Sequence, residues 1–371
     1  MKIPPVKVSF SASDRQEILL RIDRCLESGF VAQGENVNEF ESLFRQYIGC
    51  QHALALSSGG SAIEAAMRAL DVQGKEVLLP TNTFLATASG VLAAGGTVKL
   101  LDIDPDTLSP SVETIEAALG ESTVGFILVH IGGIISRDIL AIQSLCERKG
   151  IWLFEDCAHA HGSDLNGKKA GQFGVGGAYS FFSTKVITCG EGGMLVTNDE
   201  NLSNKVKLLR NYGKPEPWET YCLDFGLNWR LNELAAIVGV AQLKRLNEFI
   251  DWRAKIAALY DTHFAQSSSI VKAVQPVGRC SWYKYIVLLP SGMDRKKIKD
   301  FAREKGVSLS GGVYDIPLHD QPAISKLGIQ GSFLNADEFC ARHICLPIYY
   351  GMTEAEAEYV IETIRSAIDV G

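Results

Sequence analysis

Between residues 53 and 197 the chain alternates short apolar runs with amphipathic stretches. Runs at 53–56, 76–79, 97–101, 125–130 and 151–155 predict strands. Stretches at 61–70, 84–94, 111–119 and 137–149 space their apolar residues at helical period, each between two of those strands. Further strands are predicted at 177–181 and 194–197. Strands joined through helices need crossovers, and crossovers make a mostly parallel seven-stranded sheet covered on both faces. Such α/β sheets gather ligands at the carboxyl ends of their strands, so chemistry is expected in the loops that follow strands.

After Arg210 the pattern changes. Residues 211–228, rich in Pro, Gly, Tyr and Trp around Lys214-Pro215-Glu216-Pro217-Trp218, form a long loop, and ordered loops of that length are usually functional or interfacial. Helices are predicted at 231–247 and 249–264, then a strand at 283–289 and helices at 294–305 and 353–368. The reading is a large domain over 1–250 and a smaller α+β domain over 251–371.

Composition narrows the class. Hydrophobic residues make up 46% and charged residues 21%, the balance of a globular chain with ample core. Lys and Arg number 36 against 43 Asp and Glu, with no basic block, which argues against nucleic acid as a partner. No uninterrupted apolar run reaches membrane-spanning length, and the start Met1-Lys2-Ile3-Pro4-Pro5 lacks the apolar core of a signal peptide. Nine cysteines without a CxxC pair read as reduced thiols in a cytoplasmic protein.

Three segments carry chemistry. Ile151-Trp152-Leu153-Phe154 runs into Glu155-Asp156, which delivers a carboxylate to the ligand end of the sheet, although a loop aspartate or helix cap reads the same way. Lys185 follows Ser180-Phe181-Phe182-Ser183-Thr184 and precedes Gly190-Glu191-Gly192-Gly193. A solvated lysine is the plain reading; among small hydroxyl residues with apolar flanks, a lysine can also have a lowered pKa and bond a carbonyl carbon. Ser57-Ser58-Gly59-Gly60-Ser61 lies after a strand and opens a helix, a geometry suited to phosphate as well as to an ordinary helix start. Cys157, His159 and His161 alternate as metal ligands do, but no fourth ligand stands at a recognised spacing, so no metal is assigned. A phosphate cradle, an aldehyde-bonding lysine and a carboxylate for a ring nitrogen together describe the handles of pyridoxal 5'-phosphate.

These residues resemble the DegT/DnrJ/EryC1/StrS sugar aminotransferases, which are fold-type I pyridoxal phosphate enzymes. The likeness runs from Ser58-Gly59 through Pro80-Thr81-Asn82-Thr83-Phe84-Leu85-Ala86, Glu155 to Gly162, and Ser180 to Gly193. It continues through Gly226-Leu227-Asn228-Trp229-Arg230 to Leu346-Pro347. By that resemblance Lys185 bonds the cofactor, Asp156 pairs with its ring nitrogen and His159 sits near its 3-hydroxyl. Phe84 and Ala158 cover the ring faces, and Ser180 with Gly59 and Gly60 holds the phosphate. Asn228 reaches that phosphate from the neighbouring subunit of a homodimer with shared active sites. Tyr314, Pro317 and His319 match the family's stretch near the acceptor.

Two departures matter. Relatives have Thr where this chain has Gly60, so a hydroxyl contact is lost or passes to Ser61. The segment His130-Ile131-Gly132-Gly133 lacks the bulkier residue many relatives place before the glycine, so the substrate side is expected to differ. The resemblance implies transfer of an amino group from an amino acid, glutamate by analogy, to a keto group of a nucleotide-linked deoxysugar. His159 resembles the members acting at C4 of a hexose, whereas Phe182-Ser183-Thr184 resembles them less. An aminocyclitol aminotransferase would share these residues, and a cofactor-binding sugar sensor is the non-enzymatic alternative. A dehydratase branch carries histidine where this chain has Lys185.

Overall fold

A computed structural model of the chain describes residues 1–216, 218–266, 272–309 and 312–370; Pro217 of the long loop lies outside the described residues. Strands β1 (His52–Leu56), β2 (Glu76–Pro80), β3 (Thr97–Leu101), β4 (Thr123–Val129) and β5 (Trp152–Asp156) fall on the predicted runs. Gly176–Ser180 and Gly193–Thr197 complete a seven-stranded sheet. Its spatial order is β1, Gly193–Thr197, Gly176–Ser180, β5, β4, β2, β3. All neighbours are parallel except those of Gly193–Thr197, which runs antiparallel to both strands beside it. The seven-stranded, mostly parallel reading therefore holds.

Alternate residues of each strand feed two cores, which is why the strands read as continuous apolar runs. Leu54, Leu79, Ile127 and Phe154 face one side, with Ala62, Ala66 and Met67 of α3 (Gly59–Ala69). Leu78, Phe126, Leu128 and Leu153 face the other, with Phe40 and Phe44 of α2 (Glu35–Ile48) and Leu145 of helix Ile139–Lys149. Helix α1 (Ala12–Ser28), which the pattern did not announce, starts at a capping box between Ser11 and Asp14. It buries only Ile18 and Cys25 and leaves Leu19, Leu20 and Leu26 exposed. The start of α2 is tied to a distant helix: Glu233 accepts from the N–H groups of Gly34, Asn36 and Val37.

Helix Leu246–Gln266 leads into a second, antiparallel sheet of Lys272–Ala273, Tyr285–Leu288 and His343–Leu346. The first and last of these strands were not predicted. Helices Arg295–Glu304 and Glu354–Val370 fall on the predicted stretches. The chain's beginning joins this part, because Ile3 bridges to Val307. Among the described residues no helix is long and apolar enough to cross a membrane.

Candidate active site

The carboxyl ends of β1, β5 and strand Gly176–Ser180 open onto a cavity of about 460 Å³. Ser58 caps α3, and its hydroxyl accepts from the Ser61 N–H at 3.0 Å. Gly59 and Gly60, the first residues of that helix, line the cavity, where a helix start offers unpaired N–H groups and positive potential. A Cβ on Gly59 would meet the Ser180 Cβ at 2.8 Å, and one on Gly193 would meet the Ser58 carbonyl oxygen at 2.1 Å. Glycine at both positions lets the helix mouth close against Ser180. The hydroxyl of Ser61 does not join the cavity. It accepts from the Ser58 N–H at 2.9 Å, the second half of a capping box, so the contact expected of it is spent on the helix end.

Asp156 ends β5 with both oxygens engaged. Its Oδ2 accepts from the Thr87 hydroxyl at 2.7 Å and its Oδ1 from the Ala158 N–H at 3.1 Å. Thr87 in turn meets the Thr83 hydroxyl at 2.8 Å, so a row of hydroxyls on α4 (Leu85–Ala93) and its approach fixes the carboxylate. Nothing in the sequence marked Thr87 as more than a helix residue.

Lys185 lies across the cavity with its Nζ 4.8 Å from the centroid of the Tyr283 ring. Burial pushes its amine down to about 8, against the opposing pull of Asp156 and with a further push from Lys284. His159 stacks on Tyr283 at 4.2 Å, and Tyr314 stacks beyond it at 5.9 Å. The Nδ1 of His159 accepts from the Gly132 N–H at 3.3 Å. Burial, then the charges of Lys185 and Lys284, hold that imidazole well below the usual histidine range, so it is neutral. Phe84, 64% exposed, and Ala158 also line the cavity.

Two sequence candidates stand elsewhere. His319 bonds to Thr81 and Asp337 through its two ring nitrogens and stacks on Phe333, outside the cavity lining. Asn228 is exposed on the long loop and does not line this cavity. Cys157 groups with His130 and Glu155, not with His159 and His161. Glu155 already accepts from the N–H groups of Gly171, Phe173 and Gly174 and pairs with His130 at 2.9 Å. This fully buried carboxylate clamps the turn after the 164–169 hairpin against β4 and β5. Glu155→Gln must set an amide NH₂ against backbone N–H donors in either orientation. It should lower the urea midpoint by the equivalent of about 1–3 kcal/mol, measured by far-UV circular dichroism.

The cavity suits pyridoxal phosphate: a helix mouth and a serine for phosphate, a carboxylate for a ring nitrogen, and an amine whose lowered pKa makes it nucleophilic near neutrality. The family model of the DegT/DnrJ/EryC1/StrS aminotransferases matches residues 12–365. The chain is 31% identical to a UDP-4-amino-4,6-dideoxy-N-acetyl-beta-L-altrosamine transaminase of Campylobacter jejuni, over 94% of each chain. It is also 31% identical to a UDP-N-acetyl-3-dehydro-alpha-D-glucosamine 3-aminotransferase of Acidithiobacillus ferrooxidans, over 95% of this chain and 94% of that one. Its fold matches NtdA of Bacillus subtilis, solved with bound cofactor PMP, at a TM-score of 0.91 and 26% identity, over 99% of this chain and 85% of NtdA. The chain belongs to the DegT/DnrJ/EryC1/StrS aminotransferase family and is a pyridoxal phosphate-dependent aminotransferase.

Proposed function

We propose that the chain moves an amino group from an amino-acid donor, glutamate, to the C4 keto group of a nucleotide-linked deoxyhexose, in the cytoplasm. The observation that carries this reading is the meeting of Lys185, Asp156 and the α3 mouth around one cavity. When bound, pyridoxal phosphate supplies a carbon that holds the amine and a ring that takes up the electron pair left at the donor carbon. Lys185 Nζ, once free, takes the proton from the donor carbon and returns it to the cofactor side, acting first as base and then as acid. The Asp156 carboxylate holds the proton on the ring nitrogen, with Thr87 and Ala158 fixing its direction. Phe84 and Ala158 restrain the ring, and Ser180 with the Gly59 and Gly60 amides holds the phosphate. The keto sugar then runs the sequence backwards.

The C4 assignment rests on His159, since the relatives include enzymes named for position 3 and position 4 at equal identity. The test is a screen of dTDP-, UDP-, GDP- and CDP-linked 4-keto and 3-keto sugars, with cofactor absorbance as readout. A 4-keto sugar should turn over fastest. Turnover confined to 3-keto sugars or keto-inositols would overturn the regiochemistry.

The same reading includes a large unit over 1–250, a small one over 251–371, and a homodimer in which Asn228 serves the partner's phosphate site. Supporting the dimer, the loop that carries Asn228 exposes Phe225 at 93% and Trp218 at 77%, along with Tyr221 and Leu223. Mixing Lys185→Ala and Asn228→Asp chains and allowing subunits to exchange should restore activity, up to about one normal site per hybrid. In the hybrid both lesions fall in one site and the other is intact. Demonstrated exchange without recovery would assign Asn228 to its own subunit.

A further inference from the structure

Lys284 is 8% exposed, and its ammonium makes no hydrogen bond or ion pair with any described residue. A lysine this deeply buried without an acid beside it is costly, and such charges are ordinarily paired. Its charged neighbours make matters worse. Arg253, 2% exposed, is spent on the carbonyl oxygens of Trp282 and Ile348, and Lys185 is the next cation. The Tyr283 ring centroid lies 5.1 Å from Nζ, and the Cys345 thiol is near enough to act on its charge.

The position borders the cavity through Tyr283, the preceding residue, which lines it. Lys185 approaches the same Tyr283 ring at 4.8 Å, and His159 stacks on it. Lys284 immediately precedes strand Tyr285–Leu288, in which Ile286 is opposite Cys345. This end of the strand packs on Gly132: a Cβ there would meet Ile286 Cδ1 at 2.8 Å, and the Lys284 N–H donates to the Gly132 carbonyl at 3.3 Å. Gly132 also donates to His159, and Val313, beside Cys345, lines the cavity. Behind Tyr283 and Val313, the carboxyl-terminal sheet therefore brings excess positive charge up to the cavity.

We propose that Lys284 binds a carboxylate of the amino-acid donor. This rests on the aminotransferase reading above. The donor's reacting carbon bears a carboxylate directly, so an anion must enter within reach of Lys185 whenever the donor does. The cofactor phosphate is already served by α3 and Ser180. An acid placed permanently against Lys284 would compete with the donor, which accounts for the absence of one among the described residues.

The experiment is the half-reaction of the pyridoxal phosphate enzyme with L-glutamate, followed by cofactor absorbance in wild type, Lys284→Met and Lys284→Arg. Lys284→Met should raise the glutamate concentration for half-maximal rate about ten- to a hundredfold, the weight of a lost charge-assisted bond. Its limiting rate should stay near wild type, and Lys284→Arg should recover most of the affinity. Calorimetric binding of UDP, GDP and dTDP should be unchanged. Lys284→Met should also melt at a higher temperature than wild type, because it removes an uncompensated buried charge; a structural lysine would give the opposite sign. If Lys284→Met fails to fold, Lys284→Gln replaces it, with the same affinity loss expected. Unchanged glutamate dependence overturns the proposal, as does weakened nucleotide binding with glutamate unaffected, which would assign the lysine to the sugar nucleotide. A wild-type enzyme inert towards glutamate would instead overturn the choice of donor.

Discussion

Lys185→Ala should abolish transamination while leaving the fold and the cavity intact. The side chain makes no hydrogen bond through its Nζ with any described residue; its neighbours there are the Tyr283 ring and the charges of Asp156 and Lys284. Removing it relieves a buried charge and costs little packing, so the variant should melt close to wild type. It should still take up pyridoxal phosphate through the α3 mouth, Ser180 and Asp156, but reversibly. Borohydride should fix the cofactor to wild type alone, and peptide mapping should find the label on Lys185. Label on Lys168 or Lys169, the nearest lysines before it in the chain, would refute the assignment. The loss of rate should be at least 10²–10⁴-fold, because one group supplies both the attachment and the proton transfer. The lowered pKa gives a second handle. Burial disfavours the ammonium, so the amine is largely neutral above about 8. Capture of the cofactor by apo-enzyme should accelerate up to that pH and then flatten. An ordinary lysine would go on gaining rate to about 10.4.

How far this site could be read from the chain depended on whether a residue's chemistry was local. Asp156 and Lys185 were legible because each follows an apolar strand, and a parallel sheet brings all such ends to one edge. Thr87 was not, since its partner Asp156 lies 69 residues on and a threonine on a helix carries no signal of its own. Ser61 and Ser58 illustrate the same limit from the other side. Both hydroxyls belong to a helix start, and only the capping geometry reveals that Ser61 is turned to the backbone and away from the cavity. Lys284 sits in an apolar run that reads as a plain strand, and its isolation appears only when Arg253 and Gly132 are brought around it. For the fold, β1 to β5 announced themselves as continuous apolar runs because both faces are covered. Helix α1 concealed itself, with Leu19, Leu20 and Leu26 on its exposed side blurring the period. Strand His343–Leu346 opens on a histidine and runs into Pro347, which leaves an apolar run of only three residues, Ile344 to Leu346.

Asp156→Asn should cost at least tenfold in turnover without unfolding the protein. The structure explains why the substitution is clean. An amide oxygen can keep the bond from the Ala158 N–H, and the new NH₂ can donate to the Thr87 hydroxyl. Thr87 then turns its own proton to Thr83, whose hydroxyl is 2.8 Å away, so no buried donor is orphaned. What disappears is the charge. A neutral amide cannot hold a proton on the ring nitrogen as a carboxylate does, and the lost charge-assisted bond is worth about 1.5–3 kcal/mol. At 1.4 kcal/mol per factor of ten, that is about ten- to a hundredfold or somewhat more in rate if the bond acts fully in the transition state. The loss should fall on both half-reactions, since each passes electrons into the same ring. Single-turnover absorbance with glutamate, and in reverse with the aminated cofactor form and 2-oxoglutarate, measures both directions of the donor half. Thr87→Val separates charge from direction: it leaves the carboxylate but removes one of its two fixed partners, so a smaller loss is expected. Near-normal turnover in Asp156→Asn would rule out the role; a Thr87→Val loss as large as that of Asp156→Asn would mean that orientation, not charge, is what Asp156 contributes.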